Sequence, residues 1–421
     1  MKFKFLIIFI FIGINLASLS LQECFNGIDK NFPTSGNEEI YQKILSENQS
    51  ELNRNWLPQV FLTSMANYSS ETTAIKLDLP PTMNVTFPEA DKDREAISLE
   101  AKQQIYDGGV TSIQKKLKEQ ETEMKIYKNR SSLHQIKTLA ASLYLSIILL
   151  EKTDNILQIQ SENLQITLKS MQARFVEGLV EKNDVQALEY ETLNLYDKIA
   201  EIGFNRNTAL TKLTKICGLQ LAENVNLEIP QINEQPAQRT FLRNELLGLK
   251  AQSELLDTQI QLSKTALFPR LIARGSYSLG KPGYDMFSTD YHTYYSAALS
   301  FSWNIWDFGK SHKKRLTLAF QKKLLENAED ELVMNLENQS DEFSEKIEFL
   351  KEKLNRTKIK VELMESIEKS FAAKLQEGTV STDDYLMQSN KLMKIKTEQE
   401  QDKLNLLNAK IQQILLRGGS I

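Results

Sequence analysis

Arg174-Phe175-Val176-Glu177-Gly178-Leu179-Val180, followed by Asp184, returns later in the chain as Lys374-Leu375-Gln376-Glu377-Gly378-Thr379-Val380, followed by Asp384. Glu, Gly, Val and Asp recur at an offset of 200 residues. A second pair keeps the same offset: Ile105-Tyr106-Asp107-Gly108-Gly109 and Ile305-Trp306-Asp307-Phe308-Gly309. Upstream, Trp56-Leu57-Pro58-Gln59-Val60 is similar to Leu267-Phe268-Pro269-Arg270-Leu271. Three short matches in one order, two of them at one offset, read as an internal duplication.

Between these landmarks lie two stretches, 110–177 and 310–377, that contain neither Gly nor Pro. A helix filling either would run roughly 100 Å at the standard rise per residue. In the second stretch apolar residues stand at Leu325, Ala328, Leu332, Leu336, Phe343, Ile347, Leu350, Leu354, Val361, Met364, Phe371 and Leu375. Their spacing averages about 3.6, between a strict heptad and a straight helix. Side-by-side packing of long helices follows, with little supercoil. After each Gly turn a shorter helix is expected, at 183–217 and 382–416. Gly178 and Gly378 supply the positive φ that such a reversal needs.

Four other segments alternate with period two, as half-buried strands do. In Thr293–Ile305, Tyr295, Ala297, Leu299, Phe301, Trp303 and Ile305 share one face, against Ser296, Ser300 and Ser302 on the other. In Ala96–Tyr106, Ile97, Leu99, Ala101 and Ile105 oppose Ser98, Glu100, Lys102 and Gln104. Leu271–Leu279 alternates in the same way, and Gln59–Tyr68 more weakly. Lengths near ten residues suit membrane strands. Trp56, Tyr106, Trp303 and Trp306 crowd the strand ends, as aromatic girdles do. Four strands cannot close a transmembrane barrel, and open edges are not tolerated in lipid. The strands must therefore be shared among copies of the chain, and strand physics alone leaves the number of copies open.

The chain has 421 residues and a net charge of −4 with the two signs mixed along it, so no basic stripe marks a nucleic-acid binder. Lys2, Lys4 and the apolar run Phe5–Leu16 make residues 1–20 a secretory signal peptide, too short for a spanning helix. Residues 21–238 form the first structural repeat (helix, two strands, long helix, tip turn, helix) and 239–421 the second. Cys24 and Cys217 fit no CxxC metal pattern. Whether they pair in a disulfide, or whether Cys24 carries a lipid, the sequence leaves open. His134, His292 and His312 are isolated. No metal, cofactor or catalytic constellation is indicated, and the chain reads as a non-enzyme.

Helix, two strands, long helix, Gly turn and helix, given twice, resemble the TolC-like outer-membrane efflux protein family. The resemblance spans nearly the whole chain after the leader. It rests on the strand starts at Pro58 and Pro269, the Asp107 and Asp307 joints, and the Gly178 and Gly378 turns. It implies an α + β membrane protein of a Gram-negative outer membrane. Three copies would form a 12-stranded β-barrel, four strands per subunit, continued by a long α-helical periplasmic tunnel. The resemblance also implies the partners. Gly178, Leu179, Val180, Gly378, Thr379 and Val380 would form a periplasmic tip that meets an adaptor (membrane fusion protein). The adaptor in turn serves an inner-membrane transporter such as a resistance-nodulation-division pump. Leu179, Val180 and Val380 would be exposed there, and Asp184 and Asp384 would form an acidic ring at the mouth. Residues 70–94 and 280–292 would be outer loops, and 219–240 an equatorial band. Val380 stands where that family can carry a basic residue that locks the tip, and Met387 where it carries a second acid. The same architecture serves as the outlet of type I protein secretion. A structural periplasmic coiled-coil protein is the reading of another class, opposed by the strand alternation and the aromatic strand ends.

Overall fold

The computed structural model describes residues 18–73, 89–219, 225–232 and 241–419. The expected leader lies outside this set except for Ser18–Ser20. So do 74–88 of the expected outer loop, and 220–224 and 233–240 of the expected band. The first half contains α1 (Leu21–Asn31), α2 (Asn37–Asn53), β1 (Gln59–Tyr68), β2 (Asp93–Tyr106), α3 (Val110–Val176) and α4 (Lys182–Cys217). The second contains α5 (Asn244–Lys264), β3 (Arg270–Lys281), β4 (His292–Ser302), α6 (Lys310–Gln376) and α7 (Thr382–Leu416). The single helix expected at the start of the first repeat is instead two, α1 and α2. Pro33 lies between them and denies the helix an N–H donor. β4 ends at Ser302, so Trp303 and Ile305 lie beyond the strand on which the alternation had placed them.

The chain folds into two compact units. One takes Glu39–Ile126 and Gly248–Ala328, the other Met1–Glu38, Tyr127–Leu247 and Glu329–Ile421. Neither coincides with a repeat, because each is built from both halves of the sequence.

The first unit holds an antiparallel sheet in the order β1-β2-β3-β4. Residues directly opposite in an antiparallel ladder share a face. One such row is Leu62, Leu99, Tyr277 and Tyr295, and the next is Val60, Ala101, Gly275 and Ala297. Between them, on the other face, run Thr63, Ser98, Ser278, Tyr294 and Phe61, Glu100, Ser276, Ser296. Hydrogen bonds knit this second face: Thr63 Oγ1 to Glu100 Oε1 at 3.2 Å, Ser278 Oγ to Ser98 Oγ at 2.8 Å, and Ser276 to Ser296 at 2.8 Å. The sheet thus has an apolar side and a largely polar side.

A bulge between Gln104 and Tyr106 corrects the simple alternation of β2. It leaves Ile105 out of register and sets Tyr106 opposite Leu271, itself opposite Phe301. Tyr106 therefore joins the apolar face, where strict alternation would have put it on the polar one. Gln104 Nε2 donates to the Tyr106 carbonyl at 2.6 Å and so satisfies main chain that the bulge frees.

Both strand-to-helix joints are built alike. Asp107 accepts from the Gly109 and Thr111 amides at 2.8 and 2.7 Å, and Asp307 from the Gly309 and Ser311 amides at 3.0 and 2.8 Å. Each caps the start of a 67-residue helix, a contribution of about 1 kcal/mol. Burial raises the Asp107 pKa, but the Thr111 and Gly109 hydrogen bonds outweigh it and hold the carboxyl below its ordinary range. Gly108 has φ 73, and a Cβ there would stand 2.9 Å from the Phe268 Cβ. In the second joint Phe308 takes that position with φ 52. That conformation costs a non-glycine residue about 1–2 kcal/mol.

The second unit is helical. On α6 all twelve positions of the apolar stripe are buried or half-buried. In α3, Ala140, Ala141, Tyr144, Leu145, Ile147 and Ile148 are buried against residues of α1, α4 and α7 such as Ile28, Leu213 and Ile411. That core accounts for part of the most apolar stretch of α3, the only one among the described residues long and apolar enough to cross a membrane. The Tyr144 hydroxyl lies 2.6 Å from the Leu19 carbonyl and 2.7 Å from that of Glu228, and Leu19 bridges to Leu227. Ser20 caps α1 through a capping box with Glu23. A cut after residue 20 would remove both features, whereas a cut ahead of Ser18 would keep them.

Candidate functional site

The two Gly turns are near-copies in hydrogen bonding. Gly178, with φ 75, donates to the Phe175 carbonyl at 3.0 Å, and Leu179 donates to that of Arg174 at 2.9 Å. Gly378, with φ 72, donates to Leu375 at 3.1 Å, and Thr379 to Lys374 at 2.9 Å. These bonds satisfy carbonyls left over at the ends of α3 and α6, and a left-handed glycine allows them. The turns differ at the next helix. Ser381 caps α7, accepting from the Asp384 amide at 3.1 Å and donating to its carboxylate at 2.7 Å. On α4 the cap is Glu181, whose amide donates to the Asp184 carboxylate at 3.2 Å. Both acids of the expected ring therefore complete helix caps.

Leu179, Thr379, Gly178 and Gly378 are exposed. Val180 and Val380, expected to be exposed, are half-buried. They pack on a cluster of Leu157, Leu164, Met171, Val185, Leu188, Leu195, Leu375 and Tyr385. The turns fold back on the helices they join, so the second residue after each Gly points inward. Helices from both repeats supply this cluster. Arg174 reaches across it, and its Nη1 donates to the Leu375 carbonyl at 2.8 Å, tying the α3–α4 turn to the end of α6. The repeat has Lys at the matching position, 374, so the sequence alone gave no sign that Arg174 has a partner in the other half.

Farther along the same four helices is an open groove of about 990 Å³ lined by residues that include Lys198, Glu201, Lys353, Lys394 and Glu398. At its wall Asp402, 1% exposed, accepts from Lys353 Nζ at 2.7 Å and from Thr357 Oγ1 at 3.0 Å. The hydrogen bond to Asp402 raises the Lys353 pKa. Burial raises that of Tyr385, whose hydroxyl lies 3.5 Å from Thr167 Oγ1. These are buried polar ties between helices, with no nucleophile–base pair among them. Among the described residues no group of three His, Cys, Asp or Glu side chains is arranged to hold a metal.

In the other unit, Trp56, Tyr106, Trp303 and Trp306 are all exposed. Trp303 Nε1 donates to the Leu267 carbonyl at 3.0 Å, and Trp306 meets Phe308 edge to face at 6.3 Å. Trp303 and Trp306 are thus held by neighbours near the end of β4, with apolar surface free.

No protein-family model matches the sequence, and no curated protein matches it. Solved structures do. The outer-membrane protein VceC of Vibrio cholerae aligns over 95% of this chain and 96% of its own, with 11% identity and a TM-score of 0.69. The CmeC outer-membrane channel of Campylobacter jejuni aligns over 95% and 85%, with 12% identity and a TM-score of 0.71. The open state of the MtrE outer-membrane channel of Neisseria gonorrhoeae aligns over 95% and 89%, with 12% identity and a TM-score of 0.69. The chain has the fold of these outer-membrane channels: long helices with a small sheet.

Replacing Arg174 by Met keeps the stem of the side chain but removes its donors. A hydrogen bond from a charged donor contributes about 1.5–3 kcal/mol. Amide exchange at the α6 end and at Thr379 is expected to quicken by tenfold or more. Unchanged exchange there would show that the Leu375 carbonyl is not held by this arginine.

Proposed function

We propose that the chain is one subunit of an outer-membrane channel, the exit duct of a tripartite efflux system that passes small solutes out of a Gram-negative cell. The observation that carries this reading is the sheet. Its apolar rows run across all four strands, its opposite face is largely polar, and among the described residues nothing pairs with the outer edges of β1 and β4. Lipid would cover the first face and water the second. The edges would pair with further copies, since a spanning sheet must close. Three copies and twelve strands are what the resemblance to the TolC-like family implies, and the shared fold of VceC, CmeC and MtrE supports the channel itself. The helical unit would then supply a periplasmic tunnel, with outer-membrane lipid, a periplasmic adaptor and an inner-membrane transporter as partners. The exposed Gly178, Leu179, Gly378 and Thr379 would form the adaptor contact. Val180 and Val380 would support it from beneath.

Leu299 and Phe301 lie on the apolar face of β4, and Ser300 on the polar one. Arginine in the hydrocarbon belt costs roughly 2–4 kcal/mol at mid-depth. Leu299→Arg and Phe301→Arg are expected to lower the yield of heat-modifiable membrane oligomer sharply, and Ser300→Arg to leave it nearly intact. Equal assembly of the three would reverse or abolish the assignment of faces.

The same proposal makes Asp184 and Asp384 a converging negative ring. Asn keeps a capping oxygen and removes the charge. The Asp184→Asn, Asp384→Asn double variant is therefore expected to assemble normally but to lose cation preference in planar-bilayer recordings. Unchanged selectivity would reduce the two acids to the caps already described.

A further inference from the structure

The two cysteines of the chain, 193 residues apart in sequence, meet in one core. Helix α1 lies tightly on the end of α4. A Cβ on Gly27 would stand 2.6 Å from the Cys217 carbonyl, and one on Gly218 would stand 2.4 Å from the Asn31 Cβ. Asn31 Nδ2 donates to the Gly218 carbonyl at 3.2 Å. Cys24 is one turn before Gly27 and Ile28, on the same side of α1. That register turns Cys24 toward the end of α4, where Cys217 lies in the same buried cluster. Both are fully buried, among Leu21, Phe25, Ile28 and Leu213.

We infer that Cys24 and Cys217 are a disulfide site, oxidised during export and then enclosed in the core as a covalent staple between α1 and the end of α4. The inference rests on the outer-membrane reading, because disulfides persist where the surroundings are oxidising. The oxidant is a disulfide-bearing compound or protein outside the cytoplasm. One cysteine thiolate attacks a sulfur of that disulfide, forming a mixed disulfide and releasing one oxidant thiol. The second cysteine thiolate then attacks the mixed disulfide, forming the Cys24–Cys217 bond and releasing the other. Each cysteine gives up one proton, and the oxidant takes two electrons to become two thiols. The exchange occurs before α1 docks, since the folded core admits no oxidant. The bond closes a loop through β1, β2, α3 and α4, and so restricts the unfolded chain more than the folded one.

The test uses the full chain with its own leader, expressed in a Gram-negative host and fractionated after an acid quench. The outer-membrane fraction is denatured and treated with N-ethylmaleimide, with or without prior reduction, and peptides are weighed. Without reductant neither Cys24 nor Cys217 is expected to carry the label, and the linked peptide pair is expected to be two hydrogens lighter than its reduced parts. After reduction both are expected to be labelled. Two labelled cysteines in the unreduced outer-membrane fraction would overturn the disulfide alone. A chain confined to the cytoplasm would overturn the location, and the disulfide with it. Reductant present during heating, which reaches the bond as the chain opens, is also expected to lower the apparent thermal unfolding temperature of the protein but not that of a Cys24→Ala, Cys217→Ala variant. A linked pair without that difference would overturn the staple.

Discussion

A β-strand in contact with lipid must pair every main-chain N–H and C=O, because no water is there to do so. In this chain the constraint falls on β1 and β4, the two edges of the sheet. Nothing else among the described residues pairs with their outer edges. The proposed architecture follows from that one shortage. Closure by other copies would turn the open sheet into a barrel, and would give the apolar rows of Leu62, Leu99, Tyr277 and Tyr295 a solvent that suits them. The helical unit poses a similar problem in milder form. Apolar side chains such as Ile166 and Tyr190 in one hairpin, and Ile359 and Leu363 on α6, stay exposed in the single chain. Contact with further copies would cover them as well.

The local grammar of the fold was open to sequence reading, because its signals are local. A stretch free of Gly and Pro has little reason to break, and α3 and α6 end one residue short of the expected bounds. Period-two alternation reports the faces of a strand directly, and it separated Leu299 from Ser300 correctly. Gly178, Gly378 and Gly218 sit at positive φ because those reversals admit almost nothing else.

What escaped was set by partners distant in sequence. The bulge at Ile105 arises from the register of β2 against β3, and alternation within one strand cannot register it. Val180 and Val380 follow glycines in exposed turns, which suggested exposure. Their burial depends on how four helices converge. Arg174 finds its acceptor 201 residues away, and Lys374 at the matching position gave no warning. The cysteines are the plainest case. Two cysteines far apart in the chain share one core, where Gly27 lets α1 lie against the Cys217 carbonyl. Repeats reveal what the two halves share, whereas these contacts lie where the halves differ or cross.

The central claim is that one chain is an incomplete barrel and that copies of it complete one. Native mass spectrometry of the complex extracted from the outer membrane in mild detergent tests this most directly. The account predicts a stable species of three chains. A folded, membrane-extracted monomer would contradict it, because no closed barrel can be made from the four strands found among the described residues of one chain.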